Sequence, residues 1–205
     1  KSTNSTSMII HDDIIQQSEE WYKIRRGKIT ASHATAIANC GKGLDNYILE
    51  VMADYFSCAE KEQFSNKHTE RGNKLEPIAR SIYEIETGNT VKQVGFIEYN
   101  DYVGCSPDGL VEDDGGIEIK CPDDKEYFKI LLEKENAISS DYIWQVQMNL
   151  LITNRKWWDL IFYNPNYKQT IIVFRIYPDE EAQKKLKQGF IIAEKKIKNI
   201  IKQFE

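Results

Sequence analysis

The feature that most restricts the fold of this 205-residue chain is an alternating segment at residues 116–121. Successive side chains of a β-strand point to opposite faces, so Glu118 and Lys120 share one face. The other face carries side chains that suit a core, which are Ile117, Ile119 and Cys121. The segment therefore predicts a sheet strand with one face in the core and a charged pair on the other.

A second acid lies shortly before this strand. Asp108 stands in a Pro-Asp-Gly turn ten residues before Glu118, so two carboxylates and the Lys120 amine are predicted to converge at one edge of the sheet. Carboxylates bind Mg²⁺, two such ions about 4 Å apart support phosphodiester cleavage, and a neighbouring lysine orients water or neutralises charge. The alternative interpretation is a surface hairpin with a cross-strand Glu–Lys pair.

Hydrophobic periodicity in the rest of the chain predicts helices first and strands later. Helices are predicted over residues 18–26, 30–38 (opening at Thr30 or Ser32), 44–57 and 75–87. A loop is predicted at 58–70, with either a helix start near Lys74 or a kink at Pro77. Strands are predicted over residues 91–99, 102–105, 110–112, 116–121, 157–163 and 170–177, with a helix at 142–152 and a C-terminal helix. This order predicts an α/β (α+β) fold with a central mixed β-sheet flanked by helices.

Length and composition predict one domain over residues 8–205, with residues 1–7 interpreted as a tag remnant or a disordered tail. The 27 basic and 32 acidic residues give a net charge of −5, which argues against a uniformly basic nucleic-acid-coating surface but not against a nuclease with local basic groups. Four cysteines without a Cys-x-x-Cys pair predict free thiols. No apolar run approaches the roughly 20 residues of a membrane span, and a cytoplasmic location is expected.

Two helices carry polar residues that an active site would explain. Glu76 is interpreted as a third acid over the metal centre, or alternatively as the i,i+4 partner of Arg80. On the predicted helix at 142–152, Tyr142, Gln145 and Asn149 form a narrow polar stripe among apolar residues. Buried polar groups need partners, and either an active site or neighbouring backbone would supply them.

A third candidate region lies near the start of the chain. Arg25 precedes a hydroxyl-bearing helix start at Ser32. A helix N-terminus with a nearby arginine suits a phosphate group. The alternative is a simple N-cap beside solvated basic residues.

Five sequence blocks together resemble the lambda-exonuclease (YqaJ-like viral recombinase) family of the PD-(D/E)XK nuclease superfamily. They occur in the family's order and are found at residues 21–32, 71–76, 106–109, 118–122 and 145–147. The resemblance covers about residues 18–153, and the remaining strands and helix fit the family's closing elements. It implies a PD-(D/E)XK restriction-endonuclease-like core.

The resemblance implies a Mg²⁺-dependent 5′→3′ exonuclease that degrades one strand of duplex DNA from a 5′-phosphorylated end. Mg²⁺, for which Mn²⁺ may substitute in such enzymes, would bind as two ions to Asp108, Glu118, the Ile119 carbonyl and Glu76. Lys120 would serve the attacking water and Gln145 would help to place water or phosphate. The 5′-phosphate pocket would comprise Arg25, Ser32 and Ser106. Candidate supporting residues of the site are Tyr142, Asn149 and Lys125.

The implied partners are double-stranded DNA ends, further copies of the chain in a ring (a trimer is favoured) and a single-strand annealing protein, in a bacterial cell carrying phage or prophage. One departure concerns the arginine that the family often carries shortly after the Lys-Cys-Pro block. This chain reads Asp123-Asp124-Lys125-Glu126 there, and Lys125 is the candidate substitute. Lysine is a point charge rather than a bidentate fork.

Alternative functions remain open from the sequence. They are a structure-specific or restriction-type endonuclease of the same superfamily, a related iron–sulfur nuclease, and a non-catalytic DNA-end-binding module. A covalently closed DNA circle distinguishes the endonuclease from the exonuclease, because only an endonuclease cuts it.

Overall fold

The computed structural model of the chain describes residues 8–59 and 67–204. The interpretation of residues 1–7 lies outside the described residues, as do residues 60–66 of the predicted loop. The strands are β1 (Ile9–His11), β2 (Ile29–Thr30), β3 (Val91–Lys92), β4 (Phe96–Asn100), β5 (Val103–Cys105), β6 (Gly109–Val111), β7 (Gly115–Lys120), β8 (Trp157–Tyr163) and β9 (Ile171–Ile176). The α-helices are α1 (Glu19–Arg25), α2 (Ala34–Asn39), α3 (Lys42–Phe56), α4 (Lys67–Thr87), α5 (Asp124–Glu133), α6 (Ser140–Thr153) and α7 (Glu180–Phe204). Short 3-10 helices span Ala31–His33 and Lys134–Ala137.

The strands form two mixed sheets. The first has the order β1-β4-β5-β2, with β2 parallel to β5. The second has the order β3-β6-β7-β8-β9, with β7 parallel to β8 and its other neighbours antiparallel. The predicted mixed α/β class is confirmed, and the strands predicted for one central sheet are divided between two. The segment predicted as one strand at 91–99 supplies β3 to one sheet and β4 to the other.

Helices cover both faces of the five-stranded sheet. On one face, Ala79 and Tyr83 of α4 pack against a cluster of sheet side chains, which includes Val111, Ile117, Ile119, Ile161, Tyr163 and Ile171. On the other face, α6 packs against β8, and the larger core joins Trp158, Leu160 and Phe162 to Val146 and Leu150. Since Glu118 is paired with Leu160 across the sheet, its side chain points towards α6.

Helix starts follow the capping chemistry of the sequence. Ser18 caps α1 by accepting a hydrogen bond from the Trp21 amide at 3.2 Å. Ser139 and Asp123 cap α6 and α5 in the same way. The C-terminal helix α7 buries the predicted stripe of Leu186, Phe190, Ala193 and Ile197 against the larger core.

Several boundaries differ from the expectation. The helix α4 begins at Lys67 and contains Pro77, so the start near Lys74 and the loop at 67–70 were wrong. The first turn of α4 is polar, so hydrophobic periodicity does not indicate where the helix starts. Pro77 removes one backbone hydrogen bond within this long helix. Helix α5 was missed. The helix expected to open at Thr30 or Ser32 is divided into the 3-10 helix Ala31–His33, which follows Thr30 at the end of β2, and α2 from Ala34 onwards.

No helix in the described part of the chain is long and apolar enough to cross a membrane. All four cysteines are free thiols.

Candidate active site

The centre of the site is the buried carboxylate of Glu118 on β7, which is 3% exposed. Its Oε1 accepts hydrogen bonds from Lys120 Nζ at 2.9 Å and from Gln145 Nε2 at 2.8 Å. Its Oε2 accepts one from Asn149 Nδ2 at 3.2 Å. A buried charge is stable only when it is paired and hydrogen-bonded, and these three donors provide that environment. The predicted convergence of Glu118 and Lys120 on one face is confirmed.

Asp108 lies at the start of β6, beside β7. Its Oδ2 accepts a hydrogen bond from the Ile119 amide at 2.6 Å. The β6–β7 register pairs Gly109 with Ile117, so its continuation would set Pro107 opposite Ile119. Proline has no N–H and cannot donate to the Ile119 carbonyl. This arrangement is compatible with the predicted use of that carbonyl as a metal ligand.

Helix α6 contributes the polar stripe predicted from its spacing. Gln145 Oε1 accepts a second bond from Lys120 Nζ at 2.9 Å, and the same ammonium lies 4.9 Å from the centre of the Tyr142 ring. Asn149 is 1% exposed, and its Oδ1 has no hydrogen-bond partner within the described residues. Gln145 and Asn149 therefore bond the charged side chains of β7 through their side-chain amides.

Glu76 lines the same cavity as Asp108, a space of about 520 Å³. Its carboxylate is paired with Arg80 one turn along α4, which is the alternative drawn from the sequence. The Arg80 guanidinium also donates to the Asp108 carbonyl at 3.2 Å. Arg80 therefore binds both the Glu76 carboxylate and the backbone carbonyl of Asp108.

The electrostatics of the centre favour a cation. Burial raises the pKa of Asp108 well above its usual value, and the charges of Glu118 and Glu76 raise it further. Burial lowers the pKa of Lys120, but the Glu118 and Asp108 carboxylates outweigh this, so the net shift is upward. The described residues contain no group of three or more His, Cys, Asp or Glu side chains close enough to hold a metal. The Asp108 and Glu118 carboxylates and the neighbouring backbone and amide oxygens are hard oxygen donors of the kind that suits Mg²⁺.

The second predicted region is a pocket on the other side of the turn that carries Asp108. Arg25 Nη1 donates to Ser106 Oγ at 2.8 Å, and Trp21 Nε1 donates to the same oxygen at 2.9 Å. The guanidinium lies 4.0 Å from the centre of the Trp21 ring. Trp21 was not among the predicted site residues, although it lies one helical turn before Arg25.

Ser32 joins this pocket through a chain of hydroxyl groups. Arg25 Nη2 donates to Thr30 Oγ1 at 3.4 Å, and Thr30 Oγ1 lies 3.3 Å from Ser32 Oγ. The His33 ring stacks on Tyr47 with centroids 3.8 Å apart. Arg25, Ser32 and His33 are among the residues that line a cavity of about 260 Å³, and Ser106 is connected to it through its bond with Arg25. Sequence reasoning missed Thr30, His33 and Tyr47.

Lys125 is not part of either region. It is exposed in the first turn of α5, and within the described chain no hydrogen bond or ion pair joins it to the pocket residues. The helix that sequence reasoning missed fixes this position, since Asp123 caps it by accepting from the Glu126 amide.

Comparison with known proteins connects this geometry to a family. The family model of the YqaJ-like viral recombinase domain matches residues 20–156. An alkaline exonuclease (LHK-Exo) from Laribacter hongkongensis is 30% identical, with a TM-score of 0.77 over 91% of this chain and 97% of that chain. The crystal structure of LHK-Exo in complex with dAMP gives 31% identity and the same TM-score and coverage.

A phage-related exonuclease from Haemophilus somnus 129PT is 18% identical, with a TM-score of 0.67 over 87% of this chain and 96% of that chain. At that identity the likeness concerns the fold alone. No curated protein sequence matches the chain.

Proposed function

This chain belongs to the YqaJ-like viral recombinase domain family, and we propose that it is a Mg²⁺-dependent 5′→3′ exonuclease. It would degrade one strand of linear double-stranded DNA from a 5′-phosphorylated end and leave a 3′ single strand for single-strand annealing recombination. The observation that carries the proposal is the buried Glu118 carboxylate, held by Lys120, Gln145 and Asn149 beside Asp108. The exonuclease names of the similar structures support the same class of reaction.

The centre has the groups that phosphodiester hydrolysis requires. Asp108, Glu118 and the Ile119 carbonyl would hold the metal, with Glu76 completing the acidic surroundings. Bound Mg²⁺, as two ions or with Mn²⁺ in its place, would supply charge neutralisation and a reactive water. The donor chemistry and the free Asn149 Oδ1 fit such an occupant.

The roles of the neighbouring side chains follow from their contacts. Lys120 would orient the attacking water and offset charge on the phosphate, because its ammonium is held between Glu118 and Gln145 at 2.9 Å from each. Gln145 would keep both groups in place through its amide. Tyr142 would shield the Lys120 ammonium from the opposite side.

End recognition is assigned to the Arg25 pocket. A guanidinium presents two N–H groups in a fork that matches a phosphate, and Ser106 and Ser32 add hydroxyl donors. Ser106 stands two residues before Asp108, so a 5′-phosphate held here would set the first phosphodiester near the carboxylates. This proximity favours an exonuclease over an endonuclease of the same superfamily.

The proposed partners are DNA ends, further copies of this chain in a ring, with a trimer favoured, and a single-strand annealing protein. Exposed apolar side chains on the helices, among them Ile85 and Leu132, are the groups that contacts with further copies would cover. The bacterial cytoplasm, with the gene carried by a phage or prophage, is the proposed setting.

The test is a time course on linear duplex DNA, with either strand labelled in separate reactions and a covalently closed circle alongside. The proposal predicts loss of only the strand with the 5′-phosphorylated end, and an intact circle. Cutting of the circle would favour the endonuclease alternative. Binding to ends without turnover in Mg²⁺ would favour the end-binding module.

A further inference from the structure

The turn that carries Asp108 is held by contacts from separate parts of the chain. Trp21 and Arg25 of α1 bind the Ser106 hydroxyl, and Arg80 of α4 binds the Asp108 carbonyl. The residue between them, Pro107, is bound by Gln16, which lies in the segment between β1 and α1. Three consecutive residues of the turn are therefore fixed from outside their own hairpin.

Gln16 uses both hydrogens of one amide. Its Nε2 donates to the Pro107 carbonyl at 2.9 Å and to the Val94 carbonyl at 3.0 Å. Val94 precedes β4 of the four-stranded sheet, and Pro107 precedes β6 of the five-stranded sheet. The amide thereby ties the backbones at the starts of two strands that belong to different sheets.

The segment that carries Gln16 is itself closely fitted. The Gly95 amide donates to the His11 carbonyl at 2.9 Å, and a Cβ on Gly95 would lie 2.2 Å from the Ile14 carbonyl oxygen. Only glycine permits this approach. Gln17 has a left-handed φ of 68° and pairs its amide with Asn73 on α4. The close approach of the Ile14 backbone to Gly95 and the bond from the Gly95 amide to His11 therefore set the position of Gln16. The Gln17 side chain bonds α4 and not the turn.

We propose that Gln16 is a positioning residue, which sets the Asp108 carboxylate for metal binding through the Pro107 carbonyl. The peptide unit from Pro107 to Asp108 is planar, and the proline ring fixes its own φ. Holding the Pro107 oxygen therefore fixes the plane that contains the Asp108 nitrogen and Cα. Arg80 holds the Asp108 carbonyl on the other side of the same Cα, so the two contacts together set the direction in which the Asp108 side chain leaves the backbone. The role in catalysis rests on the function proposed above.

The test compares Gln16→Met with Gln17→Met. Methionine has nearly the same length as glutamine but offers no donor. Gln17 is the neighbouring residue of the same type, and its amide bonds Asn73 rather than the turn. The measurements are Mn²⁺ binding to the DNA-free protein by electron paramagnetic resonance, kcat and KM on linear duplex, and the melting temperature.

The expected result for Gln16→Met is weaker Mn²⁺ binding and a kcat lowered by roughly 10- to 100-fold, since a small misplacement of a reacting group costs this much. KM for DNA ends should change by less than about two-fold, because no end-binding contact is removed. Raising the Mg²⁺ concentration should restore part of the activity. Gln17→Met should leave Mn²⁺ binding and kcat near the wild-type values.

Unchanged Mn²⁺ binding and kcat in a folded Gln16→Met protein would overturn the proposal, and so would equal losses in both variants. If Gln16→Met melts below the assay temperature, Gln16→Asn replaces it. That variant keeps the amide but shortens the side chain by one methylene. The proposal expects its Mn²⁺ affinity to be measurable but lower than that of the wild type, and wild-type affinity would overturn the proposal. Should the wild type bind Mn²⁺ but cleave no DNA, the proposed function fails, while the Mn²⁺ measurement still decides the role of Gln16.

Discussion

The two candidate functional regions of this molecule differ in how they are built. The carboxylate centre consists of the charged Glu118 and Lys120 side chains of β7, which bond each other and the amides of Gln145 and Asn149 of α6 in the interior. The Arg25 pocket consists of an arginine, an indole and hydroxyl groups that come from α1, the 3-10 helix and the turn before β6. The centre contains a buried charge with a full set of donors, whereas Ser32 and His33 of the pocket are exposed.

This difference predicts how each region responds to substitution. Removing one hydrogen-bond donor from a buried carboxylate lowers the stability of the site, because water cannot reach the charge to replace the donor. An exposed hydroxyl or ring in the pocket can be replaced in part by solvent. Substitutions in the centre should therefore abolish turnover, and substitutions in the pocket should change which DNA ends are preferred.

The largest effect is expected for Lys120→Ala. The variant should fold and bind DNA ends but lose cleavage by about 100-fold or more, since it removes the positive charge at the reacting phosphate. Single-turnover cleavage and end binding in EDTA are the measurements. Lys125→Ala, an exposed lysine five residues further on, is the control and should cleave normally. Wild-type rates for Lys120→Ala would remove this residue from the mechanism.

The next effect is expected for Asn149→Leu, which replaces a buried amide by an apolar side chain of similar volume. Glu118 Oε2 loses its donor, so the free energy of unfolding should fall by about 1–3 kcal/mol. Cleavage should fall with it at temperatures where the variant is folded. Urea unfolding and single-turnover rates check both. A variant with full stability and activity would show that Glu118 does not depend on this bond.

In the pocket, Arg25→Ala should reduce the advantage of 5′-phosphorylated ends over 5′-hydroxyl ends. A loss of about 10- to 100-fold is expected, which corresponds to a hydrogen bond to a charged group. Arg25→Lys should recover only part, because it keeps the charge but not the fork. The ratio of initial rates on the two kinds of end is the measurement. An unchanged ratio would contradict the pocket assignment while leaving the centre untouched.

The smallest effect concerns pH and His33. His33 is exposed as a whole, but its ring stacks on Tyr47, and this partial desolvation lowers its pKa. The Arg25 charge lowers the pKa further, although Glu50 acts in the opposite direction. The unfolded chain therefore takes up the proton at a higher pH than the fold does, and the free energy of unfolding should fall as the pH drops below about 6.5. His33→Gln should weaken this fall slightly, as measured by urea unfolding between pH 5.5 and 7.5. The prediction would be contradicted if acidification over this range raised the free energy of unfolding of the wild type relative to that of His33→Gln.

The same contrast explains what could be predicted from the sequence. The alternation at residues 116–121 and the Pro-Asp-Gly turn are local signals, so the convergence of Asp108, Glu118 and Lys120 followed from strand geometry. The polar stripe on α6 followed from helical spacing. That α6 faces Glu118 depends on the parallel pairing of β7 with β8, which no local pattern contains.

The rest depends on contacts between distant parts of the chain. Strand β2 has two residues and is stabilised by pairing with β5, and its Thr30 is also a common capping residue. Strand β1 likewise pairs with β4. The indole of Trp21 meets Ser106 across 85 residues. Helix α5, by contrast, left a readable signal, since Asp123 is a capping residue and Tyr127 and Ile130 have helical spacing.

The most direct test of the carboxylate centre is the identity of the first product from duplex DNA carrying a labelled 5′-phosphate. With Mg²⁺, the account predicts that the label appears first as a deoxynucleoside monophosphate, and that EDTA abolishes its release. Labelled inorganic phosphate would mean that the centre removes the terminal phosphate rather than cutting the chain. Labelled oligonucleotides, or release that persists in EDTA, would contradict the account of a metal-dependent exonuclease acting from the 5′ end.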